Sequence, residues 1–155
     1  MLLSTPIELS KDFVIGPQLD EKGIQDLVKA GFATVVNLSA KGEYHQLLKP
    51  EEERKICADA GLNYIHVPMA LNKLNYKDVD EYRTAIRGAA TPVYIHCLMG
   101  QRSAALGLIT HALRKNIASK AVFDRADELG IEINAPYIRT FVENYVARGS
   151  EMPAS

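Results

Sequence analysis

The stretch "VYIHCLMGQRSAALGLI", residues 93–109, changes character twice. Apolar, β-forming residues lead into His96 and Cys97; a short segment with Gly100 follows; Arg102 and Ser103 then open a run of small and apolar residues. The pattern predicts a buried strand, a tight loop and a helix starting near Arg102 and running to about Lys115. Such a turn aims several backbone N–H groups at one point, and the helix N-terminus adds partial positive charge there. An anion fits that place, and the same field favours a thiolate at Cys97. Arg102 brings a planar fork of donors matched to two oxygens of a tetrahedral oxyanion. Gly100 permits the backbone angles that close approach requires. Ser103 is placed to donate a hydrogen bond to the sulfur and help it leave a covalent intermediate. His96 reads as a support whose ring fixes the Cys97 backbone, not as a proton carrier. A lone cysteine is more often a buried structural residue, which is how Cys57 reads. At Cys97 a strand end, a glycine, an arginine and a helix start coincide.

Working outward, the chain alternates strand and helix. Phe13–Ile15 is a short strand ended by Gly16 and Pro17. Asp20 caps a helix with Ile24, Leu27 and Val28 on one face and Gly31 at its end. Residues 32–38, "FATVVNL", form a buried strand, and 39–49 are polar and irregular. Pro50 opens a helix that is acidic at its start and stopped by Gly61. Residues 63–68, "NYIHVP", are a strand, and Asn75 caps a helix through Arg87. Two further helical segments, at about 119–129 and 135–148, are separated by Gly130 and Asn134. Strands joined by helices predict an α/β fold, a mainly parallel central sheet of four to five strands flanked by helices. Ligands bind beyond the carboxyl ends of such strands, where Cys97 lies. Residues 1–155 are expected to be one domain.

Composition narrows the partners. The 155 residues are 47% hydrophobic and 24% charged with a net charge of −1, the profile of an ordinary globular chain. With no basic run, nucleic acid and an acidic membrane surface are not expected partners. The opening "MLLSTPIELSKD" has neither the length nor the apolar content of a signal peptide or anchor. Two cysteines with nothing to suggest a staple predict free thiols and a cytoplasmic setting. His45, His66 and His111 lack metal-ligand spacing, so no metal and no cofactor are expected.

The residues around Cys97 resemble the cysteine-dependent phosphatase superfamily, whose members have a protein tyrosine phosphatase-like or dual-specificity phosphatase-like fold. Within it, the chain is similar to the phosphatase-like domain of beta-lactamase hydrolase-like proteins. "HCLMGQRS" looks like the superfamily's His-Cys…Arg-Ser/Thr motif. "IGPQLDEKGIQDLVKAGFATVVNL" resembles the family's opening strand, Pro-Gln turn, helix and second strand, and "AGLNYIHVPM" its third strand. "AVFDRADELGIEI" resembles a helix near the family's end, so the similarity runs from about 12 to 146. It implies hydrolysis of phosphomonoesters through a phosphocysteine. Cys97 would attack phosphorus, while Arg102 and the phosphate-binding loop Leu98, Met99, Gly100 and Gln101 hold the oxygens. The implied partner is a phosphorylated protein or small molecule, or an oxyanion such as phosphate or sulfate.

Three departures keep alternatives open. Four residues separate Cys97 from Arg102, where the common phosphatase motif has five. The shorter spacing occurs in this family, but it also resembles the active loop of rhodanese-type sulfurtransferases, where Cys97 would carry a persulfide. After the second strand the family often has an arginine followed by Pro-Asp-Gly-Glu; "NLSAKGE" keeps Gly42 and Glu43 without the arginine. In the loop "PMALNKLNYKD", Asn72 and Asn75 stand where phosphatases carry a general acid. Asp78 and Asp80 are the nearest carboxylates and the candidate acids, although the first turn of the following helix competes for them. A catalytically weak anion-binding pseudophosphatase is the third reading.

Overall fold

The computed structural model describes residues 3–149. Its strands are β1 Ile7–Glu8, β2 Phe13–Gly16, β3 Thr34–Asn37, β4 Asn63–His66 and β5 Val93–His96. Its helices are α1 Glu21–Lys29, α2 Pro50–Ala60, α3 Tyr76–Ile86, α4 Gln101–Arg114, α5 Val122–Leu129 and α6 Pro136–Gly149. The strands form a five-stranded sheet in the order β1-β2-β5-β3-β4, parallel except for the antiparallel edge strand β1. This is the expected α/β architecture. The helix starts follow the capping chemistry: Asp20 accepts from the Gly23 amide at 2.7 Å, Asn75 from the Asp78 amide at 2.9 Å, and Pro50 opens α2.

β5 is central and completely buried, bonded in parallel to β2 on one side and β3 on the other. Alternation along a strand sends successive side chains to opposite faces. Val93 and Ile95 join Ile15 and Val36 under α3–α6; Tyr94 joins Val35, Ile24, Leu27 and Cys57 under α1 and α2. His96 follows Tyr94 by two residues and so faces the α1–α2 layer. α4 lies along β2, with Gly107 at the crossing: a Cβ there would lie 2.5 Å from Ile15 Cγ2. The helix is therefore drawn onto the sheet by a missing side chain.

Three boundaries differ from the sequence reading. β3 and β4 are shorter than 32–38 and 63–68, although the Leu38 and Val67 amides still bond the neighbouring strands at the His96 and Asn37 carbonyls. The segment 119–129 begins with a 3-10 turn, Ser119–Ala121, before α5. β1 has no counterpart in the sequence reading; two residues are too few to display an alternation. No helix among the described residues is long and apolar enough to cross a membrane.

Replacing Gly107 by Val should destabilise the protein by about 1–3 kcal/mol, the usual cost of overpacking, read as a lower denaturant midpoint with an unchanged slope. A midpoint equal to that of the unmodified protein would show that α4 and β2 do not meet this closely.

Candidate active site

Cys97 leaves the carboxyl end of β5 with 1% of its surface exposed. The next residues curl back over its sulfur. The Gly100 amide donates to Sγ at 3.2 Å and the Ser103 amide at 3.4 Å, so the loop and the first turn of α4 converge on one atom. Gly100 is the N-cap of α4 with φ of +104°, and a Cβ there would strike the Leu3 side chain at 2.4 Å. Glycine is required at this position on both counts. Leu3 holds the loop from behind, donating its amide to the Met99 carbonyl at 3.0 Å. Leu98 is half-buried, Met99 exposed, and Gln101 begins the helix.

Ser103 is fully buried beside the sulfur. Its hydroxyl accepts from the Cys97 thiol at 3.5 Å and donates to the Gly100 carbonyl at 3.1 Å. This is the bond of the protonated thiol, a different state from the leaving thiolate to which Ser103 is expected to donate. An ionised sulfur has only lone pairs to offer, so the Ser103 rotor must turn before it can donate there.

Arg102 is held by a partner that sequence reasoning noted only in passing. Glu43, from the irregular segment after β3, accepts from Nη1 at 2.7 Å and from Nη2 at 2.6 Å. The Met69 carbonyl, after β4, takes the second Nη1 hydrogen at 3.0 Å. A guanidinium has five donors in a fixed plane. The guanidinium also hydrogen-bonds the Cys97 side chain; the two donors that Glu43 and Met69 leave, on Nε and Nη2, share one edge, the arrangement that suits two oxygens of an anion. Burial works against the Arg102 charge, but the Glu43 bonds and the Cys97 thiolate outweigh it and push the guanidinium further toward its charged form. Burial likewise opposes the Glu43 charge; the Arg102 bonds and the Ala40 amide at 2.5 Å overcome it and hold the carboxyl below its usual range. Glu43 is consequently ionised at neutral pH. Its segment is itself tied down: Gln46 bonds the Ala40 carbonyl, and Asn37 accepts from both the amide and the hydroxyl of Ser39.

His96 is 2% exposed and bonded at both ring nitrogens. Nδ1 lies 3.2 Å from the Cys97 carbonyl, and Nε2 lies 2.6 Å from Oε2 of Glu53, on α2. Glu53 is also 2% exposed, and the sequence offered no means of separating it from its neighbours Glu51 and Glu52. All three sit in the acidic first turn of α2, and only the packing of that helix turns Glu53 inward.

The remaining candidates go elsewhere. Asp78 accepts from the Asn75 side chain at 2.9 Å and completes the start of α3. Asp80 accepts from Tyr145 at 2.5 Å and from Arg148 of α6 at 3.2–3.3 Å. Those bonds, Arg148 first, hold its carboxyl below the usual range. The structure does not join either carboxylate to the Cys97 loop, and Asn72 and Asn75 are exposed. Cys57 is a free thiol, wholly buried in α2, and burial, helped by the Glu53 charge, pushes it up to about 12. His66 bonds the Ser39 carbonyl at 2.6 Å, His45 packs on Tyr44, and buried His111 meets Arg125. Among the described residues no three His, Cys, Asp or Glu side chains are grouped to hold a metal ion.

Comparison with known proteins bears on the family and the fold. The beta-lactamase hydrolase-like protein of Xylella fastidiosa is 23% identical over 124 residues, 80% of this chain. The chain spans only 28% of that relative's length. Among solved structures, a DUF442 protein from Shewanella putrefaciens superposes with a TM-score of 0.76 at 18% identity, covering 94% of this chain and 93% of the other. The core catalytic domain of the PP-IP phosphatase Siw14 from S. cerevisiae, in complex with citrate, gives 0.72 at 15% identity, covering 97% and 93%. At these identities the likeness is one of fold, and that fold is protein tyrosine phosphatase-like. The family match covers residues 7–114, from β1 through the Cys97 loop to the end of α4, and does not reach the segment 121–133. The chain belongs to the family of the beta-lactamase hydrolase-like protein, phosphatase-like domain.

Proposed function

We propose that the protein hydrolyses phosphomonoesters, with aryl phosphates as its most reactive substrates, through a phosphocysteine on Cys97. The observation that carries this reading is the convergence on one sulfur of the Gly100 and Ser103 amides, beside a guanidinium held by Glu43. Once the thiol has released its proton to solvent, the Cys97 thiolate attacks phosphorus and forms the S–P bond as the P–O bond to the leaving group breaks. The departing oxygen keeps the electron pair and takes its proton from water. The developing charge on the phosphoryl oxygens meets the loop amides and the Nε–Nη2 edge of Arg102, donors already in place before reaction. Ser103, turned toward sulfur, then stabilises the thiolate as water attacks phosphorus and releases inorganic phosphate. Water's two protons go to the phosphate and to solvent.

The activity is tested with p-nitrophenyl phosphate on the full chain and on Cys97→Ser. Turnover in the parent and its loss by at least about a hundredfold in the variant is the expected result. Sulfur transfer from thiosulfate to cyanide without phosphatase activity would assign the loop to persulfide chemistry instead, as the four-residue spacing also allows.

Phosphate, sulfate or vanadate should compete with substrate. Calorimetry should find binding abolished in Arg102→Ala and little changed in Leu98→Ala, because the half-buried Leu98 side chain contributes only its backbone to the cradle. Equal binding by Arg102→Ala would overturn the geometry.

Asp80 is bonded to α6 and Asp78 to the start of α3, so neither is placed to protonate the leaving oxygen. A positioned acid contributes about 10²–10⁴-fold. Asp78→Asn and Asp80→Asn should therefore each change the aryl phosphate rate by less than about threefold, while alkyl phosphates turn over poorly in all three proteins. A fall of two orders of magnitude on about the same scale, in a variant with an intact fold, would identify the acid.

A further inference from the structure

Two acceptors face the two nitrogens of His96. One is the Cys97 carbonyl oxygen at 3.2 Å; the other is Glu53 Oε2 at 2.6 Å. A neutral imidazole beside an ionised carboxylate has one hydrogen for two acceptors, which leaves one contact repulsive. The arrangement is satisfied only with an additional proton in the pair, on the second ring nitrogen or on Glu53. In both cases Nδ1 carries a hydrogen and donates it to the Cys97 carbonyl. Burial at 2% exposure makes an unsatisfied alternative costly, since no water replaces the missing bond.

The consequence reaches the loop through the planarity of one peptide. The carbonyl of Cys97 and the amide N–H of Leu98 belong to the same trans unit and point in opposite directions. A carbonyl held back toward His96, on the α1–α2 side of β5, sends the Leu98 N–H away from that side, where the loop turns over the sulfur. We propose that Glu53 is a positioning residue for this site: acting through His96, it fixes the first peptide of the loop and so aligns a backbone donor for an oxyanion. The role rests on the reading of residues 97–103 as an anion cradle, but not on turnover.

The groups around Glu53 come from three elements. Cys57 lies on its own helix, Tyr64 on β4, and Tyr94 and His96 on β5; burial above all, and then the Glu53 charge, disfavours ionisation of Cys57, Tyr64 and Tyr94. Arg54 is the cation nearby, stacked 4.9 Å over the Tyr64 ring rather than paired with Glu53. His96 is thus the group that answers the carboxylate.

The test reads hydrogen positions and anion binding separately from catalysis. In the unmodified protein at neutral pH, nitrogen-15 spectra of the imidazole should show Nδ1 of His96 protonated. Titration with inorganic phosphate should show affinity reduced about tenfold or more in Glu53→Leu, the scale of losing a group that orients a ligand-binding side chain. Glu53→Gln should stay within about threefold, because its amide can donate to Nε2 and leave the Nδ1 hydrogen on the Cys97 carbonyl. Unchanged phosphate affinity in a folded Glu53→Leu protein would overturn the proposal, as would a loss in Glu53→Gln as deep as in Glu53→Leu. If Glu53→Leu does not fold, the spectrum of the unmodified protein decides: a bare Nδ1 overturns the proposal and a protonated one supports it. Absence of phosphatase activity with the phosphate pattern intact would count against the hydrolytic reading alone.

Discussion

β5 is bonded along both edges, to β2 and to β3, and all four of its side chains are buried. That double parallel pairing is the constraint on which the site depends. It settles which end of the sheet Cys97 leaves from and which face each neighbour sees. One-residue alternation then sends Ile95 to the α3–α6 core and His96 to the opposite layer. A shift of register by one residue would exchange those faces and separate His96 from Glu53.

Two carboxylates from the region between β3 and β4 meet the Cys97 segment from outside it. Glu43 engages Arg102 and Glu53 engages His96. Removing such groups from water costs several kcal/mol per ion before pairing offsets it, so ion pairs of this kind are poor sources of net stability. Their value here lies in geometry. Glu43 occupies the end of the guanidinium and leaves the Nε–Nη2 edge clear of the carboxylate. The Glu53–His96 pair reaches the first peptide of the loop. A flexible loop would lose binding energy in ordering itself around an anion; one held from three sides, by Glu43, Glu53 and Leu3, has already met that cost.

The solved structures share the fold at identities of 15–18% and name no substrate for this chain. Fold alone does not determine function. Within the loop, Arg102 is the cation, while Leu98 and Met99 carry no charge. The exposed side chains of Met99 and of Tyr44, which follows Glu43, offer apolar surface near the cradle.

Much of the fold was legible because it rests on local physics. Hydrophobic runs with β-formers marked four of the five strands, and Asp20, Asn75, Pro50 and Gly61 marked helix ends through their own backbone chemistry. The Cys97, Gly100, Arg102 and Ser103 cluster was visible because a strand, a tight loop and a helix start lie in one contiguous stretch. β1 escaped notice because a two-residue edge strand acquires its identity only from pairing with β2. Glu53 could not be told from Glu51 and Glu52 by any local rule, and Glu43 lies 59 positions from Arg102. By itself the sequence determined the alternating α/β order, the cysteine loop and the absence of an acid at Asn72 and Asn75. Only the tertiary structure decided which carboxylates reach the site and which, like Asp80, are held elsewhere. The reason is physical: helix caps and strand patterns depend on neighbours within a few residues, whereas a buried charge is defined by the partner that folding brings to it.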